Sequence, residues 1–136
     1  MPLFTVTLRA NHSLDKKQLS SAIHAAVVKT GYPANDFFQR FITLDAEDFY
    51  LDATYPDLDK PRSHNVVFLE AALSAGSPDA RKQLLLQLLV EELEQIGVDR
   101  NDLMVFFSDI DRLNSSFGGG RRASPVALSQ PPSSSR

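Results

Sequence analysis

Residues 31–36 read GYPAND and residues 97–102 read GVDRND. Gly31 and Gly97 stand 66 positions apart, as do Asn35-Asp36 and Asn101-Asp102. Each stretch ends a run with helical periodicity. Leu19, Ala22, Ile23, Ala26 and Val27 recur on one helix face before Gly31. Leu85, Leu88, Leu89, Leu93 and Ile96 do the same before Gly97. A glycine after the last periodic residue, with Pro33 close behind the first, marks a helix stop. Both stops lead into apolar runs that read as strands, Phe37 to Leu44 and Leu103 to Phe107.

Outward from these stops the two halves keep matching. Residues 3–8 alternate as a strand, and Asn65 to Ala72, centred on Val66-Val67-Phe68-Leu69, predicts another. Ser13 reads as a helix N-cap with Asp15 in the first turn, and Ser77-Pro78-Asp79 as a cap followed by proline at the first helical position. At the same offset Leu3 meets Leu69, Lys16 meets Lys82 and Leu19 meets Leu85. The pattern predicts a duplicated β-α-β unit, over about 2–44 and 66–108. Each unit has two parallel strands and a right-handed crossover. The fold class is therefore α/β (α+β), a four-stranded mixed sheet with two helices on one face. The other face has no third helix to cover it, so an oligomer is expected.

Between the units lies a polar, acidic loop from Asp45 to Ser63 with Pro56 and Pro61, and a short strand is expected near Phe49-Tyr50-Leu51. Its carboxylates (Asp45, Glu47, Asp48, Asp52, Asp57 and Asp59) lack calcium-loop spacing and read as solvated. The domain is placed at 1–117, and 118–136, rich in glycine, serine and proline, as a disordered tail. Arg121-Arg122-Ala123-Ser124 has the pattern of a basic kinase site, one that arises often by chance.

Composition narrows the chemistry. The 136 residues are 43% hydrophobic and 23% charged with a net charge of −3, which suits one domain with a real core and gives nucleic acid no basic surface. No apolar run reaches membrane-spanning length and no signal-peptide pattern opens the chain, so a cytoplasmic protein is expected. The absence of cysteine removes disulfides, thiolate nucleophiles and cysteine-bound metals. His12, His24 and His64 are scattered, and no G-x-S-x-G elbow is present. No cofactor and no metal is expected.

What remains is Pro2. A strand start tolerates proline, but removal of Met1 would give Pro2 a free secondary amine. Asp36 begins a strand parallel to the first, which brings its carboxylate toward the end of the sheet where Pro2 lies. Its plainer role is a turn carboxylate.

These residues resemble the tautomerase superfamily. The stretch His24-Ala25-Ala26-Val27-Val28 with Gly31 to Gln39, Arg62-Ser63 before Val66-Val67, and Ser116-Phe117-Gly118 with Gly120-Arg121 are similar to its malonate semialdehyde decarboxylase group. The likeness covers about residues 2–121. It implies a homotrimer in which the proline amine is general base or general acid, Asp36 supports it, and Phe117 belongs to an aromatic wall. Phe4 and Phe38 are further wall candidates, with a plain core role the simpler expectation.

One departure stands out. The group carries two arginines beyond the third main strand, whereas Leu73 to Ala80 contains none. Ser115 stands where the group has tryptophan. Arg81, Arg62, Arg121 and Arg40 are the candidates to grip a substrate carboxylate instead. The function this implies is Pro2-dependent chemistry on a small 2-oxo or 3-oxo acid. Neutral Pro2 would give keto–enol tautomerisation, and protonated Pro2 decarboxylation or hydration. The alternative is a catalytically silent trimeric scaffold or binding protein of the same fold.

Overall fold

The structure, a computed structural model, describes residues 1–124. The chain runs β1 (Pro2–Arg9), α1 (Lys16–Thr30), β2 (Phe38–Leu44), β3 (Val67–Ser74), α2 (Asp79–Gln95) and β4 (Leu103–Ile110). The sheet order is β2-β1-β3-β4. β1 pairs parallel with β2, β3 pairs parallel with β4, and β1 and β3 join the units antiparallel at the centre. The expected mixed sheet and duplicated unit are both present.

The helices share one face of the sheet. Phe4, Val6 and Leu8 of β1 and Val67, Leu69, Ala71 and Leu73 of β3 pack with Leu19, Ile23 and Val27 of α1 and Leu85, Leu89 and Leu93 of α2. Truncating one of these leucines to alanine costs about 2–5 kcal/mol. The helical match at 66 residues is exact in register, since Leu19, Ile23 and Val27 occupy the buried positions that Leu85, Leu89 and Leu93 occupy in α2. The strands slip by one. Leu69 faces the helices, but Leu3 lies on the other side beside Phe38 and Ala72, so Phe4 is the residue equivalent to Leu69.

Local chemistry departs from the sequence reading in three places. Asp15, not Ser13, caps α1, accepting from the N–H groups of Lys17 and Gln18. The Ser13 N–H instead donates to Asn65 Oδ1. α2 has Pro78 at its cap with no side-chain bond, because the Ser77 hydroxyl donates to the Ser74 carbonyl. No strand forms at 49–51, where the loop runs without ladder partners; Phe49 is buried and stacks on Phe68 of β3.

Gly31 terminates α1 in the left-handed region at φ 113°, its N–H satisfying the last turn. The chain then swings across the helix end. His24 Nε2 donates to the Ala34 carbonyl at 2.7 Å, and its ring meets Phe37 edge-on at 4.7 Å. The partly buried structural role expected of His24 thus fixes the turn that carries Asp36.

Beyond β4 the chain folds back over the Pro2 end of the sheet. The Ala123 N–H donates to the Ser115 carbonyl at 2.8 Å and Arg122 Nε to the Leu113 carbonyl at 2.8 Å. The first residues of the expected tail, 118–124, therefore lie against the domain. Its remainder, 125–136, is outside the described residues. The face of the sheet away from the helices carries Leu3, Phe38, Ile42, Phe68 and Phe106, of which Phe106 is 55% exposed.

Candidate active site

Parallel pairing of β1 with β2 and antiparallel pairing with β3 bring four segments to one end of the sheet. These are the chain start, the turn before β2, the loop after β3 and the turn after β4. There the N-terminal amine of Met1 lies 2.8 Å from Asp36 Oδ2. Asp36 Oδ1 is buried with no hydrogen-bond partner among the described residues. Met1 precedes Pro2, which is buried at the start of β1 opposite Leu73.

A cavity of about 300 Å³ opens beside this pair, walled by Asn35, Asp36, Phe38, Arg112, Phe117 and Ser124 among others. Phe38 and Phe117 stack with ring centroids 5.8 Å apart, so Phe38 belongs to this wall, whereas Phe4 is core. A second cavity of about 110 Å³ lies on the other side of Met1, bounded by Tyr32, residues 74–78 and Arg81. The Arg81 guanidinium covers the Tyr32 ring at 4.4 Å.

The electrostatics follow from burial. Desolvation pushes the Met1 amine below its ordinary value of 8.0, Asp36 opposes that shift, and the Arg112 and Arg81 charges add to it. Burial also raises the Tyr32 hydroxyl above 10.0, with Arg81 pulling the other way. An amine so placed exchanges protons nearer neutrality than an exposed one.

The residues singled out from sequence divide in two. Asp36, Phe117 and Arg81 stand at this end of the sheet around the chain start that bears Pro2. Arg62 does not. It donates to the Asp52 carbonyl at 2.7 Å, next to Ser63, which binds Asp102 at the opposite end. Arg121 bridges to Gly118 in the returning strap, exposed and outside the cavity wall. Arg40 crosses the open sheet face to Thr5 Oγ1 at 2.9 Å.

Sequence reasoning missed Arg112. It follows Asp111, which caps a short 3-10 turn after β4. Sixty-six positions earlier Asp45 stands before the 3-10 turn after β2, with Ala46 in place of Arg112. Extending the repeat through both turns would have marked that difference.

Among the described residues the clustered carboxylates that could hold a metal are Asp45, Glu47 and Asp48. They are exposed on a loop away from this cavity.

Comparison with known proteins places this arrangement. The mixed sheet of two β-α-β units, with the chain start at one end of it, defines a small duplicated α/β fold. Residues 36–118 match the family described as Tautomerase enzyme, and the chain belongs to the tautomerase superfamily, in its malonate semialdehyde decarboxylase-like branch. A malonate semialdehyde decarboxylase studied in wild-type, mutant and inactivated forms is 29% identical, with TM-score 0.77 over 88% of this chain and 92% of that one. The FG41 malonate semialdehyde decarboxylase inhibited by 3-bromopropiolate is 26% identical, with TM-score 0.77 over 88% and 91%. Native fused 4-OT, at 24% identity and TM-score 0.70 over 89% and 95%, shares the fold. No curated protein matches in sequence. No helix among the described residues is long and apolar enough to cross a membrane.

Proposed function

We propose that this protein is an N-terminal-proline-dependent enzyme acting on a small 2-oxo or 3-oxo acid. The observation that carries the reading is the 2.8 Å contact between the N-terminal amine and Asp36 beside a walled cavity. Met1 borders both cavities. Its removal would leave the Pro2 nitrogen as the terminal amine at the border the two cavities share, on the side of the sheet end that carries Asp36, Arg112 and Arg81.

In that state the neutral Pro2 amine takes a proton from the carbon next to the substrate carbonyl, and the electron pair moves to the carbonyl oxygen as an enolate. The resulting prolinium returns the proton to carbon or oxygen, completing a keto–enol tautomerisation. Asp36 orients the amine and balances its charge while it holds the proton. Where Pro2 stays protonated, it polarises a carbonyl instead, the mode of decarboxylation or hydration. The relatives of fused 4-OT type are described as trimers, and the apolar open sheet face supports a homotrimer here.

The test joins two measurements on the full-length protein. Intact mass defines whether the mature chain begins at Pro2. Exchange of the C3 protons of 2-oxobutyrate for deuterium, followed by NMR, reads proton transfer at carbon. Exchange by the Pro2-terminated chain, lowered about 10²–10⁴-fold by Pro2→Ala, supports the reading. A retained Met1, or equal exchange by parent and variant, overturns it in favour of a silent scaffold.

A further inference from the structure

The stretch from the end of β3 into α2, Leu73 to Ala80, has no cation, and the cavity beside the amine needs one if an acid is to bind. We infer that Arg112 is the residue that grips the substrate carboxylate, an assignment that rests on the oxo-acid reading above. Arg112 is the basic side chain in the wall of the larger cavity, facing the same space as Met1, Asp36 and Phe117. Among the described residues it forms no ion pair. Asp36, the carboxylate in that wall, is paired with the amine.

The guanidinium is held from three sides. Its Nε donates to the Ser124 carbonyl, its Nη1 donates to Ser74 Oγ at 3.0 Å, and it lies over the Phe117 ring at 5.8 Å. Nη2 has no protein acceptor among the described residues. A planar fork fixed in this way loses little further freedom when it takes an anion, and it presents N–H donors in the geometry a carboxylate accepts. The stacked Phe38–Phe117 pair beside it gives the apolar body of a short acid a surface to lie on.

The repeat supports a dedicated role. At the opposite end of the sheet the equivalent turn carries Ala46; the cavity there is bordered by Arg9, which lies over the Phe49 ring at 5.6 Å, and by Tyr50 and Asp52, with no amine and no arginine from the turn itself. An arginine at this turn position, beside an amine, occurs only in the unit whose turn reaches the chain start.

The test compares parent, Arg112→Met and Arg112→Lys in full-length protein. Two readouts are used: deuterium exchange into 2-oxobutyrate against its ethyl ester, and calorimetric binding of oxalate, which requires no turnover. The inference expects Arg112→Met to raise KM for the acid about 10–100-fold, with a small change in kcat. Compared on the alkaline plateau of each protein's pH profile, where the amine is neutral in both, ester exchange should fall far less than acid exchange. Oxalate binding should weaken by a factor similar to the rise in KM, and Arg112→Lys should fall between. Equal effects on acid and ester, or oxalate binding unchanged in Arg112→Met, overturn it. If Arg112→Met fails to fold, Arg112→Lys decides by the same split. Arginine-dependent oxalate binding without any exchange by the parent would support the anion site and sink the enzymatic reading. Exchange with a KM indifferent to Arg112 would do the reverse.

Discussion

Asp36 and Asp102 stand 66 positions apart at equivalent turns, yet their carboxylates have opposite surroundings. Asp102 is buried and saturated, its Oδ1 taking the Ser63 N–H and its Oδ2 the Ser63 hydroxyl, both at 2.6 Å. Asp36 meets the N-terminal amine with one oxygen and leaves the other without a partner among the described residues. The difference comes from what precedes each central strand. A connecting loop enters β3 and brings Ser63, whereas β1 begins at the chain terminus.

That contrast predicts a separation of stability from activity. Asp102→Asn should lower stability by about 1–3 kcal/mol, because a neutral amide cannot accept both Ser63 donors. Its exchange rate should match the parent's. Asp36→Asn should lower the exchange rate with little change in denaturation midpoint. Urea titration read beside the deuterium exchange assay checks both. A shared loss of activity at equal cost would mean that the two carboxylates are alike.

The buried amine predicts a pH dependence for the chain that keeps Met1. Its folded-state pKa lies below the ordinary 8.0, through burial and then the charges of Arg112 and Arg81. The unfolded chain then binds more protons between the two values. The stability it contributes is complete above 8.0 and is lost as pH falls toward the folded pKa. Arg112→Met, by removing a cation, should raise the folded pKa and narrow that window. Melting temperature against pH, for parent and variant, reads the effect.

The exposed apolar sheet face predicts the assembly. Ile42 and Phe106 project from the side the helices leave bare, on the two outer strands. Ile42→Glu or Phe106→Glu should convert a trimer to monomers near 15.1 kDa, since a charge there meets apolar surface across an interface. Light scattering at micromolar concentration decides. A parent already monomeric would remove the prediction's basis.

The stop that defines the fold is testable by one methyl group. Gly31 sits at φ 113°, where a Cβ is disfavoured. Gly31→Ala should lower stability by about 1–2 kcal/mol. It should also loosen the turn that His24 holds for Asp36. Thermal denaturation measures the first effect, and the exchange rate the second.

By itself the sequence determined the duplicated β-α-β plan, because helix faces and glycine stops follow from local periodicity and backbone sterics. It also put Asp36 at a strand start near Pro2, since parallel pairing within a unit fixes which strand ends meet. It could not set the strand register, because alternation on both faces of β1 let Leu3 and Phe4 compete for the match with Leu69 until the helices chose Phe4. Arg62 and Arg112 show the same limit for the site. Both stand on short polar segments with no periodicity, so direction is decided by the carbonyls, hydroxyls and rings they meet. Tertiary structure sent Arg62 to Asp52 at one end of the sheet and Arg112 to Ser74 and Phe117 at the other. Local propensity carries no information about contacts made 38 residues apart.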